Sequence, residues 1–339
     1  MQKYTVAVVG IGMVGGEMLK VLRERNFPAK KVKVLATRAR KETIHGYEYD
    51  VEPASEEAFE GVDFAFFAGT EGARGASQQY GWPAVKRGCI VIDNGDDFRM
   101  DDRVPLVVPE VNAEHLRKHQ GFISNPNCST IQMVVALAPL HRRAKIRRVV
   151  VNTFQAVSGT GRAAVTELEE QVRNWAAGKD MTREVYPHRI AFNVMPQVSS
   201  LKDTFPGYYG EEIKMIREPR KIMGLPNLAV SATCVRVPVL NAHSESINVQ
   251  FEKPITADEA REALAAAPGI KVLDDPAKSV YPLAIDASGK DEVFVGRIRK
   301  DTSAENCIDF WCVSDNIRKG AALNTIQIAE KMIEMKLVK

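Results

Sequence analysis

Cys128 is the residue of this sequence whose surroundings most clearly favour covalent chemistry. It lies in the polar stretch SNPNCST, residues 124–130, directly before the apolar run of a predicted helix. Pro126 disfavours helix before itself, so the helix is expected to begin just after it. The dipole at a helix N-terminus stabilises a thiolate and lowers the pKa of a thiol. The position therefore predicts an accessible cysteine nucleophile, and a cysteine that only fills a loop is the alternative.

The remaining cysteines lie in apolar or strand-like contexts, which predicts buried structural roles for Cys89, Cys234, Cys307 and Cys312. The 5 cysteines are widely spaced and form no CxxC pair. This pattern argues against a disulfide framework or a structural zinc site, and it favours a reducing cytoplasm. No metal is expected.

A glycine-rich turn near the start of the chain predicts a dinucleotide site. The β-branched run 6–9 is followed by Gly10, Gly12 and Gly15, with Met13 and Val14 between the last two. This G-x-G-x-x-G spacing lets the backbone approach a pyrophosphate and directs a helix N-terminus at its charge. The glycines, Met13 and Val14 are therefore candidate cofactor contacts.

Further strand-like segments turn this motif into a fold prediction. They cover residues 31–37, 62–69 and 89–95, and the segments between them have helical character or turn residues. Such alternation is typical of a Rossmann-type, doubly wound parallel sheet in an α/β protein. The strand at 31–37, the second strand of the chain, ends at Thr37-Arg38-Ala39-Arg40, where cationic and hydroxyl side chains favour the 2′-phosphate of NADP. A solvated basic loop is the alternative.

The second half of the chain has a different secondary-structure pattern. Long β-rich runs at 147–159 and 228–239 fit a mostly antiparallel sheet, and the tail 320–336 reads as a helix that returns to the first domain. We therefore expect a dinucleotide-binding domain, residues 1–127 with 314–339, and a second, α+β domain, residues 128–313. The substrate is expected in the cleft between the domains.

Composition excludes several classes of protein. The 339 residues carry a net charge of only +3, and the basic run 141–148 has no interleaved aromatic residues to stack bases. Neither nucleic acid nor a membrane surface is therefore an expected partner. No signal peptide and no apolar run of about 18 residues is visible, so a cytoplasmic protein is expected.

Several motifs, in order along essentially the whole chain, resemble aspartate-semialdehyde dehydrogenases. They are SNPNCST, TFQAVSGTGR, FRMD followed by PLVVPEVN, EEIK and RVPVLNAHS. The resemblance implies an NADP-dependent enzyme that converts L-aspartyl 4-phosphate to L-aspartate 4-semialdehyde and phosphate. It also implies that the second domain is catalytic and forms a homodimer, with a homotetramer as the alternative.

The resemblance also assigns roles residue by residue. Cys128 matches the nucleophile that forms an acyl thioester, His243 the general acid/base, and Gln155 the residue that orients the acyl group. Arg236 matches the arginine that binds the substrate carboxylate, and Glu211 the acceptor of its ammonium. The implied phosphate site consists of Arg99, Lys214 and Asn127. Further implied cofactor contacts are Ser158, Gly159 and Asn316.

Three positions depart from the family pattern. The glycine turn GIGMVGG is one residue shorter than usual, and Thr37-Arg38-Ala39-Arg40 replaces a Ser-x-Arg-Ser segment. These changes leave open which side chain meets the 2′-phosphate, and with it the preference for NADP over NAD. Asp96 and Asp97 also add acids near Arg99, where they could tune the affinity for phosphate.

Two other functions remain as alternatives. Another acyl-phosphate reductase, such as an N-acetyl-glutamyl-phosphate reductase, would share the cysteine, the histidine and the cofactor domain. The pair Glu211 and Arg236, matched to the two charges of an amino acid, favours the aspartyl substrate. A catalytically silent paralogue that acts as a binding protein is the second alternative, against which the presence of both Cys128 and His243 argues.

Overall fold

The computed structural model describes residues 2–69 and 75–338. The chain divides into two compact units, between Asn127 and Cys128 and again between Gly320 and Ala321. Among the described residues, no helix combines the length and the apolar character that crossing a bilayer requires.

Strands and helices alternate through the first unit. The strands are β1 (Tyr4–Val9), β2 (Ala29–Ala36), β3 (Arg40–Ile44), β4 (Tyr47–Pro53), β5 (Phe64–Phe67), β6 (Ile90–Asp93) and β7 (Phe122–Ser124). The helices of this stretch are α1 (Met13–Glu24), α2 (Ala76–Lys86) and α3 (Pro109–Asn112). The sheet order is β3-β4-β2-β1-β5-β6-β7, and among the described strands of this sheet every pairing is parallel except that of β3 with β4. The predicted Rossmann-type sheet is confirmed.

The core of the first unit lies on both faces of this sheet. Every residue of β1 is buried, and its side chains alternate between two apolar clusters. Val6 and Val8 pack with α1 on one face, and Ala7 and Val9 pack on the other. Burial on both faces is what a continuous β-branched run requires of a parallel strand.

The segment after β2 forms a pair of strands that was not predicted. Arg40 begins β3, which forms an antiparallel hairpin with β4 through His45 and Gly46, with φ of 49° and 79°. Positive φ at both positions is typical of a type I′ turn, whose twist matches that of paired strands. The predicted cofactor segment therefore ends in a strand.

The second unit carries the mostly antiparallel sheet that was predicted. Its helices are α4 (Cys128–Ala144), α5 (Arg162–Ala176), α6 (Gly210–Ile222), α7 (Ala257–Ala265) and α8 (Ala284–Ala287). Its strands are β8 (Ile146–Gln155), β9 (Ala229–Arg236), β10 (His243–Phe251), β11 (Ile270–Val272), β12 (Val293–Lys300) and β13 (Cys307–Ser314). The order is β11-β12-β13-β10-β8-β9, with parallel pairing only at β8/β9 and β11/β12 among the described strands.

The return of the chain to the first unit lies at Ala321 and not at residue 314. The segment 314–320 belongs to the second unit because its side chains bond there. Asn316 Oδ1 accepts the N–H of Ala242 at 3.0 Å, and Asp315 Oδ2 accepts the N–H of Gly289 at 2.7 Å. The tail then forms α9 (Leu323–Glu334), whose apolar side chains join the core of the first unit.

Candidate active site

Three residues with predicted catalytic or binding roles lie side by side at the ends of three neighbouring strands of the second sheet, β9, β8 and β10. Gln155 ends β8 and pairs in register with Arg236, which ends β9. Ser244 pairs with Phe154, so His243 at the start of β10 lies on the other side of Gln155. β8 runs parallel to β9 and antiparallel to β10. The C-terminal ends of β8 and β9 therefore lie beside the N-terminal start of β10.

His243 has one satisfied ring nitrogen and one open one. The residue is 0% exposed, and its Nδ1 accepts the N–H of Ala156 at 3.0 Å. Nε2 has no hydrogen-bond partner within the described ranges. Burial, and then the positive charge of Arg236, hold the pKa of His243 well below its usual range. The ring is therefore neutral, with its open nitrogen available to a ligand.

Arg236 is a buried guanidinium without a carboxylate. It is 5% exposed, its Nη1 donates to the carbonyl of Ala156 at 2.6 Å, and its Nε has no partner in the described part of the chain. No ion pair joins it to an aspartate or glutamate among the same residues. A buried charge is costly unless it is paired, so this side chain is suited to bind an anionic ligand.

Glu211 lies between an amide and an ammonium group. Its Oε1 accepts from Gln155 Nε2 at 3.2 Å, and its Oε2 lies 3.7 Å from Lys214 Nζ, one helical turn along α6. Glu211 is 6% exposed, so these polar groups satisfy a carboxylate that is largely removed from water. The structure thus brings Gln155, Glu211 and Lys214 together, with Arg236 in register beside Gln155.

Cys128 is the first residue of α4, as predicted from Pro126. It is partly exposed, whereas the helix residues that follow it, 129–140, are all buried. Gly320 approaches it closely, since a Cβ at position 320 would lie 2.7 Å from Cys128 Cβ. Any larger residue there would displace Cys128. Gly320 was not predicted as a site residue. The one sequence feature that could have indicated it is a glycine at the first position of the predicted helical tail 320–336.

The other cysteines are buried, as predicted. Burial raises the pKa of Cys89 to about 12. Burial likewise raises the pKa of Cys234 and of Cys312 well above the usual range, with a nearby glutamate adding to the effect in each case. Burial also raises the pKa of Cys307. These four thiols are therefore protonated at neutral pH, which leaves Cys128 as the candidate nucleophile.

The predicted cofactor residues of the second unit form a small network around the histidine. Ser158 Oγ lies 3.0 Å from Asn316 Nδ2 and donates to Asn241 Oδ1 at 2.9 Å. Gly159 follows, and a Cβ there would lie 3.0 Å from Arg236 Nη1 and 3.2 Å from His243 Nε2. Glycine at 159 therefore leaves the space in front of both side chains open. Ser158 and Asn316 are buried and fix this segment in place.

The glycine turn of the first unit fits the pyrophosphate of a dinucleotide. Gly10 has φ of 89°, and a Cβ on Gly15 would overlap the carbonyl oxygen of Gly10. A Cβ on Gly12 would meet nothing within 4 Å, so that backbone is open. Met13 and Val14 form the first turn of α1, whose start has no side-chain cap. Backbone N–H groups at such a helix start bind phosphate oxygens.

Thr37, Arg38 and Arg40, which are predicted to select the cofactor, differ in their exposure and in their partners. Thr37 and Arg38 are exposed in the bend after β2. Arg40 lies in β3, where its Nε donates to Glu42 Oε2 at 2.6 Å. Glu42 therefore shares the charge of Arg40, whereas no ion pair involves Arg38 within residues 2–69 and 75–338.

The predicted phosphate residues Arg99 and Asn127 belong to the first unit. Both are buried, and Arg99 Nη2 donates to the carbonyl of Asn94 at 2.6 Å. Asp93, at the end of β6, is fully buried, and burial raises its pKa to about 6 against the opposing effects of the Gly95 N–H and Arg99. A carboxyl that ionises near Arg99 reduces the net positive charge that an anion would meet.

Family models cover most of the chain. One described as the semialdehyde dehydrogenase NAD binding domain matches residues 5–119, and one described as the semialdehyde dehydrogenase dimerisation domain matches residues 137–319. The first match confirms a nicotinamide-cofactor domain.

Named relatives agree with these models. The chain is 49% identical to aspartate-semialdehyde dehydrogenase from Aquifex aeolicus, over 99% of both chains, and 46% identical to that from Bacillus subtilis, over 98% of both. It is also similar to the crystal structure of aspartate semialdehyde dehydrogenase II complexed with ASA from Vibrio cholerae, with a TM-score of 0.92, 39% identity, and coverage of 98% of this chain and 99% of that one. The chain therefore belongs to the aspartate-semialdehyde dehydrogenase family, a family of oxidoreductases of amino-acid biosynthesis.

Proposed function

We propose that this protein is an NADP-dependent aspartate-semialdehyde dehydrogenase that reduces L-aspartyl 4-phosphate to L-aspartate 4-semialdehyde with release of phosphate. The observation that carries the proposal is a buried Arg236 without a carboxylate, next to a His243 whose Nε2 is open. An anionic substrate with a reacting carbonyl would satisfy both groups. The Vibrio cholerae relative, described as complexed with ASA, supports the same substrate.

The charges of the second unit match those of an α-amino acid. Arg236 would bind the carboxylate through two parallel N–H···O hydrogen bonds from its planar guanidinium, and the carboxylate of Glu211 would accept a hydrogen bond from the ammonium. Gln155, whose amide already donates to Glu211, would orient the acyl group. An N-acetylated substrate has no ammonium, so the buried carboxylate of Glu211 favours the aspartyl over the N-acetyl-glutamyl substrate.

Cys128 would supply the covalent step. Its thiolate attacks the acyl carbon, the C–S bond forms, and the bond from carbon to the phosphate oxygen breaks. When bound, NADPH supplies the hydride that reduces the resulting thioester. Backbone N–H groups at the start of α4 would stabilise the oxyanion, and collapse of the thiohemiacetal returns the thiolate. Arg99, Lys214 and Asn127 would bind the phosphate, with Glu211 moderating the charge of Lys214.

The direct test is the reverse reaction, followed as reduction of NADP. With L-aspartate 4-semialdehyde we expect turnover that requires phosphate, because phosphate must release the acyl group from Cys128. N-acetyl-glutamate semialdehyde is the matched competitor. Faster turnover of that competitor would assign the chain to another acyl-phosphate reductase. Binding of NADP with no turnover of either aldehyde would identify a silent paralogue.

Cofactor choice gives a separate prediction. Arg38→Ala should raise the Michaelis constant for NADP about 10- to 100-fold and leave that for NAD nearly unchanged, because a charge-assisted contact contributes about 1.5–3 kcal/mol. Arg40→Ala should have a smaller effect, since Glu42 already pairs with Arg40. Steady-state kinetics with each cofactor measure both variants.

Glu42→Gln is the matched control for this prediction. It removes the competing carboxylate and keeps the size of the side chain, so the affinity for NADP should rise if Arg40 contributes. Equal effects of Arg38→Ala on NADP and NAD would show that these arginines form a solvated basic segment and do not select the cofactor.

Assembly and pathway follow from the same proposal. The match to a dimerisation domain supports a homodimer formed through the second unit, with a homotetramer as a further assembly. The aldehyde product would feed biosynthesis of lysine through diaminopimelate, and of threonine, methionine and isoleucine. A biosynthetic role of this kind favours the cytoplasm.

A further inference from the structure

The buried carboxylate of Asp315 bonds to three separate segments of the second unit. Asp315 is 4% exposed. Its Oδ1 accepts the backbone N–H of Ile317 at 2.9 Å and that of Arg318 at 2.8 Å. Its Oδ2 accepts the backbone N–H of Gly289 and an N–H of Asn241 Nδ2, both at 2.7 Å. One side chain therefore ties together the loop after β9, the loop after α8 and the segment after β13.

The backbone after Asp315 forms a wider turn than an α-helix. A turn of π-helix covers Arg318–Ala322, and the N–H of Gly320 donates to the carbonyl of Asp315, five residues earlier, at 3.0 Å. Such turns are rare and occur frequently at functional sites. A carboxylate that accepts N–H groups two and three residues later caps the start of a helix. The side chain and the carbonyl of Asp315 therefore both hold this turn.

The π turn places Gly320 against the proposed nucleophile. A Cβ at position 320 would lie 2.7 Å from Cys128 Cβ and 3.2 Å from Cys128 Cα. A Cα–H of Gly320 therefore points at the base of the cysteine side chain, and Cys128 has no room to move towards the turn. If the turn shifted, the Cα–Cβ bond of Cys128 could shift with it, and so could Sγ.

We propose that Asp315 is a positioning residue for the thioester chemistry: its carboxylate holds the π turn, and the turn holds Gly320 against Cys128, so that Sγ meets the acyl carbon. The inference rests on the proposed function, which supplies that carbon. Asp315 acts through Gly320 and not by contact with the substrate. The position of the thiol matters because a reacting atom displaced by about 1 Å can lose about 10²-fold in rate.

A role in cofactor binding is the competing interpretation, because the same segment carries Asn316, a candidate cofactor contact. Asn241, which donates to Asp315, also accepts from Ser158 Oγ at 2.9 Å. The two roles differ in the kinetic parameter that they change. A displaced thiol slows acylation, whereas a displaced Asn316 or Ser158 weakens the binding of NADP.

The first test measures acylation as the rate of the NADPH burst with aspartate semialdehyde in the absence of phosphate. Asp315→Ala should lower this rate about 10- to 100-fold and leave the Michaelis constants for the aldehyde and for NADP within about threefold. Asp315→Asn keeps an oxygen for the N–H groups of Ile317 and Arg318. It should retain at least about five times the rate of the alanine variant, since Asn and Asp are similar caps. An unchanged burst rate with a raised Michaelis constant for NADP would overturn the proposal and assign Asp315 to the cofactor site.

A double-mutant cycle tests whether Asp315 acts through Gly320. Gly320→Ala pushes a methyl group against Cys128, so by itself it should lower the burst rate about 10²-fold. Adding Asp315→Ala should then cost less than about a further threefold, because the turn is already displaced. If the two losses multiply, Asp315 acts independently of Gly320 and the proposal is wrong.

Asp274→Ala is the matched control. Asp274 follows β11, at the opposite edge of the sheet from β9, and its side chain is 1% exposed. Its carboxylate accepts the N–H of Arg297 at 2.7 Å and two N–H groups of Arg261. Its removal should lower the melting temperature and keep the burst rate. A burst as slow as that of Asp315→Ala would show that loss of any buried carboxylate of the second unit has this effect, which would overturn the proposal.

A spectroscopic test does not depend on turnover. Bromotrifluoroacetone should label Cys128, because the other cysteines are buried, and the fluorine NMR resonance reports the surroundings of the label. We expect the resonance to shift or split in Asp315→Ala and in Gly320→Ala, and to stay unchanged in Asp274→Ala. An unchanged resonance in Asp315→Ala would overturn the proposal.

This test also separates the two proposals. If the natural protein does not oxidise aspartate semialdehyde and the resonance still shifts in Asp315→Ala, the proposed function is wrong, yet Asp315 does hold Cys128 in place. If the natural protein is active and the resonance does not shift, only the positioning role is wrong. If Asp315→Ala does not fold, Asp315→Asn takes its place in the cycle and in the spectra, with the same criteria.

Discussion

Replacing Cys128 with alanine should abolish turnover, with a loss on the order of 10⁵-fold or to below detection. The reason is that alanine cannot form the thioester on which both the reduction and the release of phosphate depend. Cys128→Ser should be little better, because a serine hydroxyl is a much weaker nucleophile than a thiolate. Steady-state reduction of NADP with aspartate semialdehyde and phosphate measures the loss.

A matched control and a direct observation sharpen this prediction. Cys89→Ala removes a buried thiol from the first unit and should keep activity, because that group is not ionised. In the absence of phosphate, the natural protein should release a burst of NADPH equal to its active sites, and mass spectrometry should find the acyl group on Cys128. Substantial activity in Cys128→Ala, or a burst without an acylated cysteine, would rule out the thioester mechanism.

The architecture could be predicted because local patterns determine it. The buried run at 6–9 and the glycines after it specify a strand, a tight turn and a helix with little help from distant residues. The β3–β4 hairpin was missed because its strands are rich in charged residues and show no apolar alternation. Its signal was the dipeptide His45-Gly46, whose positive φ values form the turn.

The candidate active site, in contrast to the architecture, depends on contacts between residues that are far apart in the sequence. Motifs predicted Arg236 and His243 as candidates, but no sequence pattern indicates that both bond to the backbone of Ala156. That contact joins residues 80 or more positions apart, and it depends on the register of β8 with its two neighbours. Gly320 was missed for the same reason, because its proximity to Cys128 exists only in the folded chain.

Replacing Arg236 with lysine should lower kcat/KM for aspartate semialdehyde about 10²- to 10³-fold, since losing a buried charged partner costs about 2–5 kcal/mol. Lysine keeps the charge, but an ammonium cannot reproduce a two-pronged contact with a carboxylate. The Michaelis constant for phosphate should change little, because the carboxylate is at the opposite end of the substrate from the acyl carbon. Arg99→Ala should do the reverse and raise the Michaelis constant for phosphate about 10- to 100-fold.

A truncated substrate separates carboxylate binding from a disturbance of His243, which shares Ala156 with Arg236. 3-Aminopropanal is aspartate semialdehyde without its carboxylate, so the natural protein and Arg236→Lys should turn it over equally slowly. If the lysine variant is much slower than the natural protein on 3-aminopropanal, Arg236 acts through Ala156 and His243 and not through the substrate carboxylate. If Arg236→Lys instead raises mainly the Michaelis constant for phosphate, the two anion sites are inverted. Equal effects of both variants on both substrates would mean that each arginine supplies only a general positive field.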